Sequence, residues 1–260
     1  MSRTEALAGW SGWSGVRVVA PLTGGARNEV FLAQRGRERL VLRRSTRPPD
    51  SLEWELDLLE HLGNNGIGVP QLILADDGRR HVDGWMVAKF AAGHQPRDVA
   101  DWRRVIDTAT AVHELTPRWP QRPGFASARD LLTIQRGGDV DLGAMPPEAV
   151  RAVRQAWKPV LRGTECAIHA DLGGGNVLVD GSTVTLLDWD EARVDVPWFD
   201  FAYFPENVEV PTPTGRPALT TAGVAWEAAT CWVPEPDYAA RRLAELLSRS
   251  ANPASPDHPT

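Results

Sequence analysis

A chain of 260 residues, 42% of them hydrophobic, is long enough to bury a sizeable core as one domain or two closely joined lobes. Its formal net charge of −6, with no basic stripe, speaks against nucleic acid as a partner, and no run approaches the ~18 apolar residues that span a bilayer. Met1 to Trp13 carries no signal pattern and the two cysteines, Cys166 and Cys231, read as buried thiols of a reducing compartment, so a cytoplasmic enzyme is expected, as monomer or homodimer.

After a polar leader, Val16 to Ala20 is a β-branched run that predicts a strand. Pro21 to Phe31 contains Gly24-Gly25 and leads into a second, alternating strand; those glycines either let backbone N–H groups approach a phosphate or simply close a hairpin. Arg39 to Arg44 predicts a third strand. Asp50-Ser51-Leu52-Glu53 has the form of a capping box opening a helix to about Leu62, with Leu52, Leu56, Leu59 and Leu62 on its apolar face. Gly63 to Gly66 stops that helix, and Gln71 to Ala75 and Trp85 to Ala88 supply two more strands. Residues 1–90 thus predict a small lobe of five strands and one helix.

Beyond Gly93 the pattern turns helical. Val99, Trp102, Val105, Ile106, Ala109, Val112 and His113 recur at helical spacing up to Pro117, with His113 a packed core histidine rather than a ligand. Gly124 to Gly143 is irregular, and Pro146-Pro147-Glu148 begins a helix through Trp157. Pro205, Pro211, Pro213 and Pro217 predict a long ordered loop, followed by helices over Ala222 to Trp232 and Tyr238 to Leu247. The expected organisation is therefore 1–90 as an N-terminal lobe, 91–249 as a C-terminal lobe, and 250–260 as a disordered tail. Trp54, Trp102 and Trp157 are assigned to the core. Trp198 and Trp232 fall nearer an acceptor cleft, which Asp195, Glu206, Glu209, Glu227, Glu235 and Asp237 could line with negative charge or merely flank as solvated acids.

The chemistry concentrates between His169 and Asp190. Two apolar runs, Asn176 to Val179 and Val184 to Leu187, flank the turn Asp180-Gly181-Ser182 and predict a hairpin with a polar loop at each end. One loop offers His169, Asp171 and Asn176, the other Asp188 and Asp190. Phosphoryl transfer needs an acceptor placed in line and charge neutralised by Mg²⁺, which takes hard oxygen ligands and keeps several waters. Asn176 and Asp188 are the expected metal ligands, and Asp171, five residues before the asparagine, the base that faces an acceptor hydroxyl. Asp190 is either a third metal ligand or a structural acid.

The string His169-x-Asp171-x4-Asn176, followed by Leu187-Asp188-Trp189-Asp190, resembles the catalytic and metal loops of the aminoglycoside phosphotransferase and choline kinase-like family. Ala170 in place of the arginine of protein kinases, and Trp189-Asp190 in place of Phe-Gly, favour its small-molecule branch. The resemblance implies an α+β, protein kinase-like two-lobe fold: a small N-lobe with a five-stranded antiparallel sheet and one helix, and a larger, mainly helical C-lobe carrying the catalytic hairpin. It also implies His169 as a brace for the loop and Asp200 as its hydrogen-bonded pin. Gly24 and Gly25 are similar to the family's nucleotide-covering turn. Arg43 falls where kinases hold the α- and β-phosphates with a lysine, and Glu55 where the helix partner of that cation belongs. Val87 to Gly93, with Lys89, looks like the hinge whose backbone binds the adenine edge.

The function these residues imply is an ATP- and Mg²⁺-dependent kinase acting on a hydroxyl of a small molecule, either an aminoglycoside-like antibiotic in self-protection or a biosynthetic intermediate. The alternative is a catalytically degenerate nucleotide- or ligand-binding relative, motivated by Arg43 in place of lysine. A metal-dependent hydrolase using Asp188 and Asp190 lacks a supporting histidine cluster.

Overall fold

The structure, a computed structural model, describes residues 12–22 and 29–251. In chain order its elements are β1 (Val16–Pro21), β2 (Glu29–Arg35), β3 (Glu38–Arg44), α1 (Pro49–Asn64), β4 (Leu72–Ile73), β5 (Trp85–Lys89), α2 (Val99–Leu115), β6 (Arg136–Gly137) and β7 (Val140–Asp141). There follow α3 (Pro147–Trp157), β8 (Cys166–Ile168), β9 (Val177–Asp180), β10 (Thr183–Leu186), β11 (Arg193–Asp195), α4 (Arg216–Thr230) and α5 (Pro236–Ala251). They divide into two compact units, one running to Pro96 and including Gly174–Asp190, the other comprising Arg97–Gly173 and the chain from Glu191 onward. Among the described residues no helix is long and apolar enough to cross a membrane.

The first unit is a five-stranded antiparallel sheet in the order β1-β2-β3-β5-β4. Alternation decides its faces. Leu40 and Leu42 of β3 are fully buried with Ala33, Trp85 and Val87, while Val41 and Arg43 point to the other side. Helix α1 buries all four leucines of its predicted stripe, together with Leu58, Trp54 and Glu55. It does not use the capping box. Pro48 occupies the N-cap and offers no side-chain oxygen, Pro49 begins the helix, Asp50 accepts from the Ser51 N–H at 2.8 Å, and Glu53 turns outward to Arg80 and His81.

The hairpin β9–β10 belongs with this sheet unit. The pairing Thr183–Asp180 to Leu186–Val177 leaves Gly181 (φ 59°) and Ser182 as its two-residue turn. On one side Leu186 N–H donates to the Gly68 carbonyl at 2.9 Å; on the other His94 and Val179 exchange two backbone bonds of 3.0 and 2.8 Å. Backbone bonding, rather than chain position, thus carries Gly174–Asp190 into the first unit and moves its boundary past residue 90. Gly68 is required by close approach: a Cβ there runs into the Val184 carbonyl oxygen. Gly68→Ala is expected to destabilise the protein by about 1–3 kcal/mol through overpacking, read as a lower urea midpoint; an unchanged midpoint would show that the hairpin shifts freely.

In the second unit Asp98 caps α2 by accepting from the Asp101 N–H at 2.9 Å. The short antiparallel pair β8–β11, with registers Arg193–Ile168 and Asp195–Cys166, carries the His169–Asp171 loop at the end of β8. Its core joins Val153 and Trp157 of α3, Ile168, Phe199, and Ala222, Ala225 and Trp226 of α4, with Leu246 of α5. Asp195 is fully buried in it. Arg193 reaches Asp195 at 3.0 Å and lies 3.5 Å over the Trp226 ring.

Candidate active site

In the second unit, strand β8 ends at Ile168, and the next three residues form a loop held by Asp200. Asp200, 1% exposed, stands on a helical turn, Pro197–Phe201. Its Oδ1 accepts from the Ala170 N–H at 2.7 Å and its Oδ2 from the His169 N–H at 3.1 Å, with His113 Nε2 2.8 Å from the same Oδ2. Burial pushes this carboxyl up, but the His113 hydrogen bond, the His113 and His169 charges and the Ala170 N–H outweigh it, holding Asp200 below its ordinary value. Ala170 is left-handed (φ 71°), an unusual conformation for a residue with a Cβ, and this turn carries the exposed Asp171 past the buried His169. The Asp171 N–H lies 3.4 Å from His169 Nδ1. His113 is packed as expected, edge-on to Phe201, and pairs with Asp200, a role its helical spacing does not reveal.

In the first unit, Asn176 ends a helical turn, Gly174–Asn176, immediately before β9. Its carbonyl accepts from the Leu187 N–H at 2.8 Å, which closes the open end of the hairpin and sets Asn176 beside the Leu187-Asp188 corner. Asp188 is also left-handed (φ 55°), and its side chain is 35% exposed. Arg43 reaches Glu55 at 2.6 Å, Asp190 at 3.1 Å and Asp188 at 3.5 Å. Burial would depress this guanidinium, yet Glu55, Asp188 and Asp190 hold it above its ordinary value. Arg47 closes on Asp190 from the other side at 2.7 Å. Arg47 is the residue that sequence reasoning misses, because a lone arginine in Ser45-Thr46-Arg47-Pro48 carries no spacing signal.

Gly24 and Gly25 lie outside the described residues. Val87 is a correction: it is buried inside the sheet, in register with Leu42 on one side and Ile73 on the other, so its backbone faces strands and presents no edge to a ligand. Lys89 ends β5 with an exposed side chain, and its N–H donates to the Gln71 carbonyl at 2.9 Å. The acidic wall is also corrected at Asp195, which is paired in the core. Glu227 is held by Arg242, with burial raising its carboxyl. Trp198 and Trp232 donate their indole N–H groups to the carbonyls of Arg162 and Ala144, and pack on the core.

Among the described residues no three His, Cys, Asp or Glu side chains gather as a metal cluster. Asp188 and Asn176 offer oxygen donors, which suits a hard cation that keeps waters and takes phosphate oxygens. Asp190 fits that role poorly: Arg43 engages one of its oxygens and Arg47 the other.

The family model for the phosphotransferase enzyme family matches residues 18–244. Among solved structures, a microcompartment-associated aminopropanol kinase is similar at 20% identity, with a TM-score of 0.63 and 95% of this chain and 96% of that one covered. The aminoglycoside phosphotransferase APH(4)-Ia in complex with ADP and hygromycin B is 15% identical, with a TM-score of 0.64 and coverages of 92% and 95%. Spectinomycin phosphotransferase APH(9)-Ia is 14% identical, with a TM-score of 0.58 and coverages of 91% and 86%. Comparison with curated proteins gives no significant match. The α+β architecture is thus the protein kinase-like fold of these enzymes. With the family model spanning nearly the whole chain, the protein belongs to the phosphotransferase enzyme family.

Proposed function

We propose that the protein is a kinase that transfers the γ-phosphoryl group of ATP to a hydroxyl of a small molecule, with Mg²⁺. The observation that carries this reading is the Arg43 cluster: a strand cation, anchored 2.6 Å from a fully buried helix carboxylate, stands 3.5 Å from Asp188. Arg43 receives the α- and β-phosphate oxygens through its fork. Asn176 and Asp188 would hold Mg²⁺, which when bound neutralises phosphate charge. Asp171 orients the acceptor hydroxyl and takes its proton as the oxygen bonds to the γ-phosphorus and the bond to the ADP oxygen breaks. The resemblance gives Gly24 and Gly25 the phosphate-covering turn, and the backbone from Lys89, the last residue of β5, onward would read the base in place of Val87. His169 and Asp200 support the Asp171 loop.

The names of the similar solved structures supply a panel to screen: amino alcohols, represented by aminopropanol, and aminocyclitol antibiotics, represented by hygromycin B and spectinomycin. The nucleotide half is tested first, by thermal shift with Mg·ATP, Mg·GTP and metal-free nucleotide, beside Asp188→Ala. A nucleotide at a hundred times its Kd adds about 2.7 kcal/mol to the native state. The expected result is a metal-enhanced shift in the wild type, with the enhancement lost in the variant. Mg·ATP giving no shift would sink the reading.

The same cluster supports a second reading. Arg43 lies within ion-pair distance of three carboxylates, which suits a nucleotide-binding relative without turnover. Mg·ATP binding with no phosphorylated product over the acceptor panel would favour it.

A further inference from the structure

Four side chains of the first unit form a continuous chain of ion pairs, Glu55–Arg43–Asp190–Arg47, with contacts of 2.6, 3.1 and 2.7 Å. Glu55 is fully buried, and the other three side chains are between 8% and 16% exposed. Two carboxylates balance two guanidiniums, and Asp188 adds a further negative charge 3.5 Å from Arg43. The contacts of Asp190 are divided by oxygen. Its Oδ1 accepts from Nη2 of Arg43 at 3.1 Å, while its Oδ2 accepts from Nε and Nη2 of Arg47 at 3.1 and 2.7 Å.

This division matters because Arg43 stands where a lysine would be a compact point charge. A guanidinium is a rigid planar fork, and one carboxylate at one nitrogen leaves it free to swing about that contact. Glu55 holds Nη1 and Asp190 holds Nη2, so the plane is fixed from two sides. Arg47 in turn fixes Asp190. A metal ion taken up by Asp190 would bring a third positive charge against two guanidiniums and displace at least one from a mostly buried pair.

We infer that Asp190 is a positioning residue: with Arg47 behind it, it sets the Arg43 guanidinium at the angle that receives the nucleotide phosphates, and it does not ligate the metal. This rests on the kinase reading above. Its distinguishing consequence is that the contribution of Asp190 to nucleotide affinity persists without metal.

The test is calorimetric titration of ATP into the full chain, once in EDTA and once in excess Mg²⁺, for wild type, Asp190→Asn, Arg47→Gln, the double variant and Asp188→Asn. Asp190→Asn is expected to weaken ATP roughly ten- to a hundredfold in both arms, the size of one charge-assisted hydrogen bond. Arg47→Gln should weaken it less, again in both arms, and the double variant should bind no worse than Asp190→Asn alone, since the two act through the same guanidinium. Asp188→Asn should lose affinity in the Mg²⁺ arm only. Loss confined to the Mg²⁺ arm for Asp190→Asn would make it a metal ligand and overturn the inference, as would wild-type affinity in both arms. If Asp190→Asn shows no melting transition, Arg47→Gln decides, and wild-type affinity for ATP in EDTA overturns the inference. A wild type that binds ATP in neither arm removes the kinase reading and the inference with it, whereas a binding wild type with an indifferent Asp190→Asn removes the inference alone.

Discussion

Asp171→Ala is expected to lower kcat by roughly 10²–10⁴, the span that a positioned general base contributes, while leaving the Kd for Mg·ATP within about twofold, inside the scatter of surface substitutions. The physical argument starts from the loop. The preceding Ala170 is left-handed and its N–H, like that of His169, is taken up by Asp200, so the backbone delivers Asp171 to the surface from a fixed base. In the proposed role Asp171 serves the acceptor rather than the nucleotide, so its removal withdraws help that matters only as the hydroxyl loses its proton. The loss should therefore fall on kcat and kcat/KM alike, with the KM for ATP unmoved. Asp171→Asn tests the same point with the shape retained. The measurement is steady-state turnover with the best acceptor of the amino alcohol and aminocyclitol panel, set beside calorimetric Mg·ATP binding. If kcat stays within about fivefold of wild type, far short of what a positioned base supplies, Asp171 is not the base; if Mg·ATP binding collapses with it, the residue belongs to the nucleotide site.

What the sequence made legible was whatever local spacing encodes. The hairpin was readable because alternating apolar runs flank a Gly-Ser turn, and its pairing from Thr183–Asp180 to Leu186–Val177 follows. The leucine stripe of α1 was readable for the same kind of reason. Helix starts were less so. Pro217 looked like part of a breaking loop, yet it sits in the first turn of α4, where its missing N–H leaves nothing unsatisfied; α5 likewise begins at Pro236. The strands β8 and β11 are three residues each and pair across the whole hairpin, so no window on the sequence contains their periodicity. Side-chain partners were the least legible. Asp190 was open between metal ligand and structural acid because its partners, Arg43 and Arg47, stand more than 140 residues earlier in the chain. Asp195 is open in the sequence between an acid of the acceptor cleft and a solvated acid, because burial with Arg193 is set by the core around it and not by its neighbours in sequence.

Asp200→Ala is expected to destabilise the protein by about 3–5 kcal/mol, the cost of leaving several buried donors without their common acceptor. Three groups lose their acceptor at once: the buried N–H groups of His169 and Ala170, and His113 on α2. Each buried donor left unsatisfied costs about 1–3 kcal/mol, and relaxation of the loop recovers part of that. Against a domain stability of roughly 5–15 kcal/mol the change is large. The pH dependence carries the sign that distinguishes this account from a general packing defect. The Asp200 carboxyl is held below its ordinary value in the folded protein, so the folded state binds fewer protons there than the unfolded chain. Its contribution is complete above the unfolded value, about pH 3.9, and is lost as pH falls through the lower folded value. Urea unfolding of wild type and Asp200→Ala between pH 7 and pH 2 should show a stability gap that holds down to about pH 4 and narrows below it as the carboxylate is protonated. A gap that stays constant down to about pH 2, well below the unfolded value, would mean that the carboxylate charge contributes nothing and that the residue merely fills space. Asp200→Asn separates the effects further, because one amide oxygen can replace only one of the two acceptors, and the amino group it brings meets an N–H or the His113 ring. Its stability should lie between the other two. Because the defect lies in the loop that carries Asp171, kcat of the folded fraction should fall while Mg·ATP still binds.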